Sequence, residues 1–126
     1  MQNKIAKLKK LKLLFVEDEE DLLEIISDTL TKLDASFETA VNGKEALAIM
    51  SKMKIDVVVT DINMPIMDGL DLIENINKLY PSIQVIVMSA HTEAEYIQKA
   101  HDLGVKDYLI KPFDFIKFIE LVASMD

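Results

Sequence analysis

The chain has 126 residues, half of them hydrophobic, with 22 acidic residues against 14 basic ones, a net charge of −8 and no cysteine. That is one ordinary domain with a single core; disulfides and thiolate metal sites are excluded, and no apolar run is long enough to span a bilayer. Every basic residue is lysine, so the bidentate guanidinium contact to guanine is absent, and the acidic balance argues against nucleic-acid binding by this domain.

Residues 1–10 carry Lys4, Lys7, Lys9 and Lys10 and read as a basic leader, frayed and solubilising. No apolar segment with a small-residue cleavage site follows, so the leader is no secretory signal, and a cytoplasmic location is the default expectation. The domain proper is expected over 11–126. Leu11–Val16 reads as a buried strand. Glu19–Leu33 places Leu22, Ile26, Leu30 and Leu33 at helical spacing, with acids in its first turn and Lys32 in its last, as the helix dipole favours. Phe37–Ala40 is a short strand. Asn42-Gly43 opens a helix carrying Ala46, Leu47, Met50 and Met53. Asp56–Thr60 is a β-branched strand, and Ile62–Gly69 is a loop punctuated by Pro65 and Asp68-Gly69.

Leu70–Tyr80 reads as a helix stopped by Pro81, and Ile83–Met88 as a strand. Thr92 and Glu95 form a capping box for a helix over Glu93–Leu103, which Gly104 stops. Asp107–Ile110 is a strand, and Asp114 caps a last helix to about Ser124. Five βα units with buried strands predict an α/β fold, a doubly wound parallel five-stranded sheet with helices on both faces. Right-handed crossovers leave few topologies, and the flavodoxin-like order 2-1-3-4-5 is expected, with its switch point between the first and third strands.

In that order, four strands end in chemistry at one edge. Glu17-Asp18 follows the first strand, Asp61 the third, Ser89 the fourth and Lys111 the fifth. Ligands of open α/β sheets bind at this edge. Carboxylates suit a hard cation such as Mg²⁺, and an ammonium and a hydroxyl suit phosphoryl oxygens. Each residue has an ordinary reading when taken alone. Asp61 could be a turn residue, the acidic run a helix-dipole complement, Ser89 a loop-bonding hydroxyl and Lys111 a solvated lysine. Yet Glu17 and Asp18 beside Asp61 would repel one another without a cation. Asn63 adds a backbone carbonyl. Pro112 biases Lys111 towards an extended conformation, with a trans bond expected before it.

These residues stand in Val-Glu-Asp-Glu (16–19), Ala-Val-Asn-Gly-Lys-Glu-Ala-Leu (40–47) and Thr-Asp-Ile-Asn-Met-Pro-Ile-Met-Asp-Gly (60–69). Met-Ser-Ala (88–90) and Gly-Val-Lys-Asp-Tyr-Leu-Ile-Lys-Pro-Phe (104–113) complete the set. From about Leu11 to Ser124 the chain resembles the receiver domain of two-component response regulators. The resemblance implies that Asp61 accepts a phosphoryl group from the phosphohistidine of a sensor histidine kinase or phosphotransfer protein, or from a small acyl phosphate. It implies that Glu17, Asp18, Asp61 and the Asn63 carbonyl hold Mg²⁺ (or Mn²⁺), that Lys111 contacts the phosphoryl group, and that Ser89 and Tyr108 act as the switch pair. The domain would then be a phosphoacceptor that assists its own phosphotransfer and dephosphorylation rather than an enzyme. Glu17 replaces the commoner Asp. Asn63 and His91 fall where such domains tune dephosphorylation, although His91 also reads as an exposed loop histidine, and His101 as a surface residue.

The last helix is apolar beyond one stripe: Phe115, Ile116, Phe118, Ile119, Leu121 and Val122 are broken only by Lys117 and Glu120. It is either seated deeply against the first helix and the sheet, or part of a surface for a homodimer or downstream effector, built from the last two helices and the fifth strand. The chain stops soon after this helix, as a stand-alone receiver or a piece of a longer regulator would. Other functions fit less well. A haloacid-dehalogenase-like phosphatase would want an acid where Asn63 stands. An FMN carrier would want a phosphate loop where Glu17 and Asp18 stand. A phosphorylation-independent receiver-type binding module would have lost Asp61, Lys111 or an acid.

Overall fold

The computed structural model describes residues 2–90, 94–112 and 114–125. The elements run α1 (Gln2–Lys9), β1 (Lys12–Val16), α2 (Glu20–Lys32), β2 (Ser36–Ala40), α3 (Gly43–Met50), β3 (Val57–Asp61), α4 (Gly69–Leu79), β4 (Gln84–Ser89), α5 (Ala94–Asp102), β5 (Asp107–Ile110) and α6 (Phe115–Ala123). All strand pairs are parallel, and the sheet order is β2-β1-β3-β4-β5, as expected.

The middles of β1, β3 and β4 are apolar because both faces are covered. Successive residues of each strand feed opposite layers. Leu13, Phe15, Val57, Val59, Ile86, Met88 and Leu109 pack with Leu8, Ile26, Leu30, Phe118 and Val122 from α1, α2 and α6. The alternate residues Leu14, Val16 and Val58 pack with Ala46, Met50, Leu72 and Ile76 from α3 and α4. Val87 joins Ile73 and Ala100 beneath α4 and α5. Cap chemistry sets the helix ends. Asn42, Asp68 and Asp114 accept backbone N–H groups at the starts of α3, α4 and α6. After α5, Gly104 takes φ +96, a conformation that glycine adopts without strain. Thr92 and Glu93, read as the start of α5, lie outside the described residues.

Three expectations are corrected. The basic leader is not frayed: residues 2–9 form α1, which packs on α6. Leu8 is fully buried and Ile5 joins the same core. The Lys7 ammonium donates to the carbonyl of Ala123 at 2.8 Å and to that of Met125, satisfying oxygens at the end of α6. This packing accounts for much of the apolar excess of α6, which meets the sheet on one side and α1 on another, while Ile116 stays 60% exposed. Met53 is not on a helix, since α3 ends at Met50 and Met53 is 39% exposed. The Lys111–Pro112 bond is cis, against the expectation of trans.

Candidate functional site

The parallel register builds the site. Val16 pairs with Thr60, Asp61 with Met88 and Ser89 with Ile110. Asp61 and Ser89 are the last residues of β3 and β4, while Glu17 and Lys111 are the first beyond β1 and β5. The Glu17 N–H donates to the Ala40 carbonyl at 3.0 Å, and the Lys111 N–H to the Ser89 carbonyl at 2.8 Å. The sheet's own ladder therefore brings these side chains to one edge.

Asp61 is 5% exposed. Its Oδ1 accepts from the Ile62 N–H at 2.8 Å, and its Oδ2 from the Lys111 ammonium at 2.9 Å. Lys111 also lies 3.3 Å from Oε2 of the fully buried Glu17. That contact is an ion pair without hydrogen-bond geometry, for Glu17 Oε2 has no hydrogen-bond partner among the described residues. Glu17 Oε1 accepts from the Glu19 N–H at 3.2 Å. Carboxylate oxygens of Glu17, Asp18 and Asp61 lie within 4.8 Å of one another, with Asp18 exposed.

The electrostatics follow from burial. Desolvation, and then the charge of Asp61, push the Glu17 carboxyl up to about 7; the attraction of Lys111 and the Glu19 N–H only partly offset this. Burial opposes the Lys111 charge too, but the hydrogen bond and charge of Asp61, with the charge of Glu17, outweigh it and hold the ammonium above its ordinary value. The site thus keeps a fixed cation beside more negative charge than it neutralises. An all-oxygen donor set, with one buried carboxylate oxygen that accepts no hydrogen bond among the described residues, fits a hard dication such as Mg²⁺ or Mn²⁺.

Ser89 is fully buried at the end of the strand beside β3, and its Oγ has no hydrogen-bond partner among the described residues. Asn63 is exposed on the loop after Asp61. Tyr108 lies apart from the cluster: its hydroxyl donates to the Val105 carbonyl at 2.7 Å, and its ring packs near Ile62, Val87 and Val105. His91 is outside the described residues, and His101 is exposed.

Supporting residues went unread in the sequence. Thr60, fully buried, donates its hydroxyl to the Asp61 carbonyl at 2.8 Å. Gly69 sits so close to Asp61 that a Cβ there would lie 2.2 Å from the Asp61 carbonyl oxygen. A Cβ on Gly43 would meet Met67 Cγ at 2.7 Å. The spacing of Asp61 to Asp68-Gly69 signalled a loop, and only the fold shows the close approach.

The sequence profile of the response regulator receiver domain matches residues 13–123. The chain is 35% identical over 117 residues to the chemotaxis protein CheY of Thermotoga maritima, covering 90% of this chain and 96% of that protein. It is 36% identical over 112 residues to the response regulator protein FleR of Pseudomonas aeruginosa, covering 89% of this chain and 24% of FleR. It is also 36% identical over 107 residues to the DNA-binding transcriptional regulator NtrC of Salmonella typhimurium, covering 85% of this chain and 23% of NtrC. The chain spans about a quarter of the length of FleR and NtrC. Among solved structures, the chemotaxis response regulator CheY4 of Vibrio cholerae matches with a TM-score of 0.80 at 30% identity, covering 89% of this chain and 98% of that one. The receiver domain of NtrX from Brucella abortus matches with a TM-score of 0.80 at 28% identity, covering 90% and 99%. A profile match over nearly the whole chain, with a full-length relative and the same sheet order, leaves one assignment: this chain belongs to the response regulator receiver domain family.

Proposed function

We propose that this domain carries signals in a two-component phosphorelay by accepting a phosphoryl group on Asp61. The observation that carries this reading is the Lys111 ammonium 2.9 Å from Asp61 Oδ2, beside the Glu17–Asp18–Asp61 carboxylates. An Asp61 carboxylate oxygen forms the new P–O bond as the P–N bond of a donor phosphohistidine breaks, and the imidazole nitrogen leaves with the electron pair. Phosphoryl transfer needs mainly positioning and neutralised charge on the transferring oxygens. Lys111 supplies a fixed cation, and the Ser89 hydroxyl, without a hydrogen-bond partner among the described residues, is a donor for a phosphoryl oxygen. Glu17, Asp18, Asp61 and the Asn63 carbonyl would hold Mg²⁺ or Mn²⁺, which when bound neutralises phosphoryl charge.

Recruiting Ser89 would bias the Tyr108 region of β5, a local change with a wider readout for an effector or a second copy at α5, β5 and α6. Asn63 and His91 would set the dephosphorylation rate. In this reading the domain is a phosphoacceptor, not a turnover enzyme. Residues 11–126 form the receiver proper, with residues 1–10 as an added element. Labelled phosphate followed from a phosphorylated histidine-phosphotransfer domain tests the reading. Wild type should become labelled and Asp61→Asn should not; equal labelling of both would remove Asp61 as the acceptor.

A further inference from the structure

The loop between β3 and α4 turns at Ile66. Its φ is +71, in the left-handed region where a β-branched residue is an outlier. The Met67 N–H donates to the Pro65 carbonyl at 2.8 Å across it, which closes a three-residue γ-turn of the rare, strained hand. Glycine would make this turn without strain. Ile66 is also 79% exposed, more than any other large apolar side chain among the described residues. In the free chain, neither its backbone nor its side chain gains from being isoleucine at this position.

The turn is nevertheless held in place. The Gly43 N–H donates to the Met67 carbonyl at 2.9 Å, and the Gly69 N–H to the Ile62 carbonyl at 2.7 Å. The Asp68 carboxylate accepts from the Asp71 N–H at 3.0 Å. Strained residues persist where the surroundings over-determine them, and they cluster at ligand clamps. This one lies five residues past Asp61, on a loop leaving the sheet edge that holds the carboxylates. The loop bonded to it through Gly43 also presents Val41, 37% exposed. An apolar side chain carried on a preordered backbone loses less freedom on docking than one on a loop that must first be ordered.

Resting on the phosphoacceptor reading, we propose that Ile66 is a specificity-determining contact with the protein that delivers the phosphoryl group. Its side chain enters an apolar recess on the donor protein and adds binding energy to the complex that brings the phosphohistidine to Asp61. A small donor such as acetyl phosphate makes no such contact. The test compares acetyl phosphate with a phosphorylated histidine-phosphotransfer domain, chosen from a panel because it labels the wild-type chain. Ile66→Gly removes the side chain and suits the turn. Ile66→Asn keeps a residue that tolerates positive φ but is polar, and Ile66→Leu keeps the apolar bulk. Circular dichroism confirms that each variant folds.

For Gly and Asn, kcat/KM with the protein donor should fall at least about tenfold, equivalent to about 1.4 kcal/mol. That loss should sit in KM, and Leu should stay within about threefold of wild type. Labelling by acetyl phosphate should stay within about twofold for all three, since that donor has no protein surface to recognise. Unchanged protein-donor transfer in Gly and Asn overturns the proposal. A parallel loss with acetyl phosphate overturns it too, because Ile66 would then be shaping the site itself. A folded wild type that neither acetyl phosphate nor any donor of the panel labels sinks the phosphoacceptor reading, and this proposal with it.

Discussion

The two edges of the sheet use the same residue types to opposite ends. At the amino-terminal edge, no buried side-chain polar atom among the described residues lacks a partner. The Lys12 N–H donates to Asp56 Oδ2 at 2.7 Å, and the Asp56 N–H donates back to the Lys12 carbonyl at 2.9 Å. The Lys12 ammonium meets Glu38 at 3.1 Å, half in solvent, and Lys7 closes the end of α6. At the carboxyl-terminal edge, among the described residues, one oxygen of the fully buried Glu17 has only its ion pair to Lys111 and no hydrogen bond, and the buried Ser89 hydroxyl has no hydrogen-bond partner. Buried polar groups are normally bonded, so the second edge holds an arrangement that stability alone would not select. Groups perturbed in this way concentrate where chemistry is done. The amino edge holds the domain together, and the carboxyl edge is strained towards ligand.

The largest effect should come from the quiet edge. Leu8→Ala removes a fully buried side chain and should lower unfolding free energy by about 2–4 kcal/mol, measured by urea denaturation. Labelling of Asp61 below the transition should be unchanged. A negligible loss would mean that α1 is not part of the folded unit.

Next comes Glu17. Its carboxyl is pushed up to about 7, from an ordinary 4.5, by burial first and the Asp61 charge second. Between those values the folded, metal-free protein holds a proton that the unfolded chain has released. Its stability therefore falls as pH rises from about 4.5 to about 7, and that loss is complete above pH 7. Glu17→Gln should remove this slope and stabilise the metal-free protein at pH 8 by on the order of 1–3 kcal/mol. Mg²⁺ should raise the Tm of wild type at pH 8 but scarcely that of the variant. Metal affinity of wild type should weaken below about pH 7, because the carboxyl must shed its proton to bind. Melts from pH 5 to 8, with and without Mg²⁺, check all three; a destabilised Glu17→Gln with full Mg²⁺ response would break the contrast between the edges. The smallest effect belongs to Glu38→Gln, which loosens a half-exposed pair and should change stability by less than about 0.5 kcal/mol.

Much of this was legible in the residues. Asp61, Ser89 and Lys111 each end or follow a short apolar strand, so a parallel sheet had to bring them to one edge, and the strand ends were read to within a residue. The helix caps at Asn42 and Asp114 are local chemistry, and they were readable for that reason. What could not be read depends on distant partners. α1 looks like a solvated lysine run until α6, more than 100 residues later, supplies the surface for Leu8 and the carbonyls for Lys7. Gly69 looks like loop punctuation until the fold brings its Cα against the Asp61 backbone. The bond of Tyr108 to Val105 depends on how the chain turns after Gly104, which residue type alone does not specify.

The most direct measurement is intact mass after incubation with acetyl phosphate, with Mg²⁺ or with EDTA, for wild type and Asp61→Asn. The account predicts one phosphoryl adduct on wild type with Mg²⁺, and none with EDTA or on Asp61→Asn. An adduct that persists on Asp61→Asn, or that forms equally in EDTA, would contradict it.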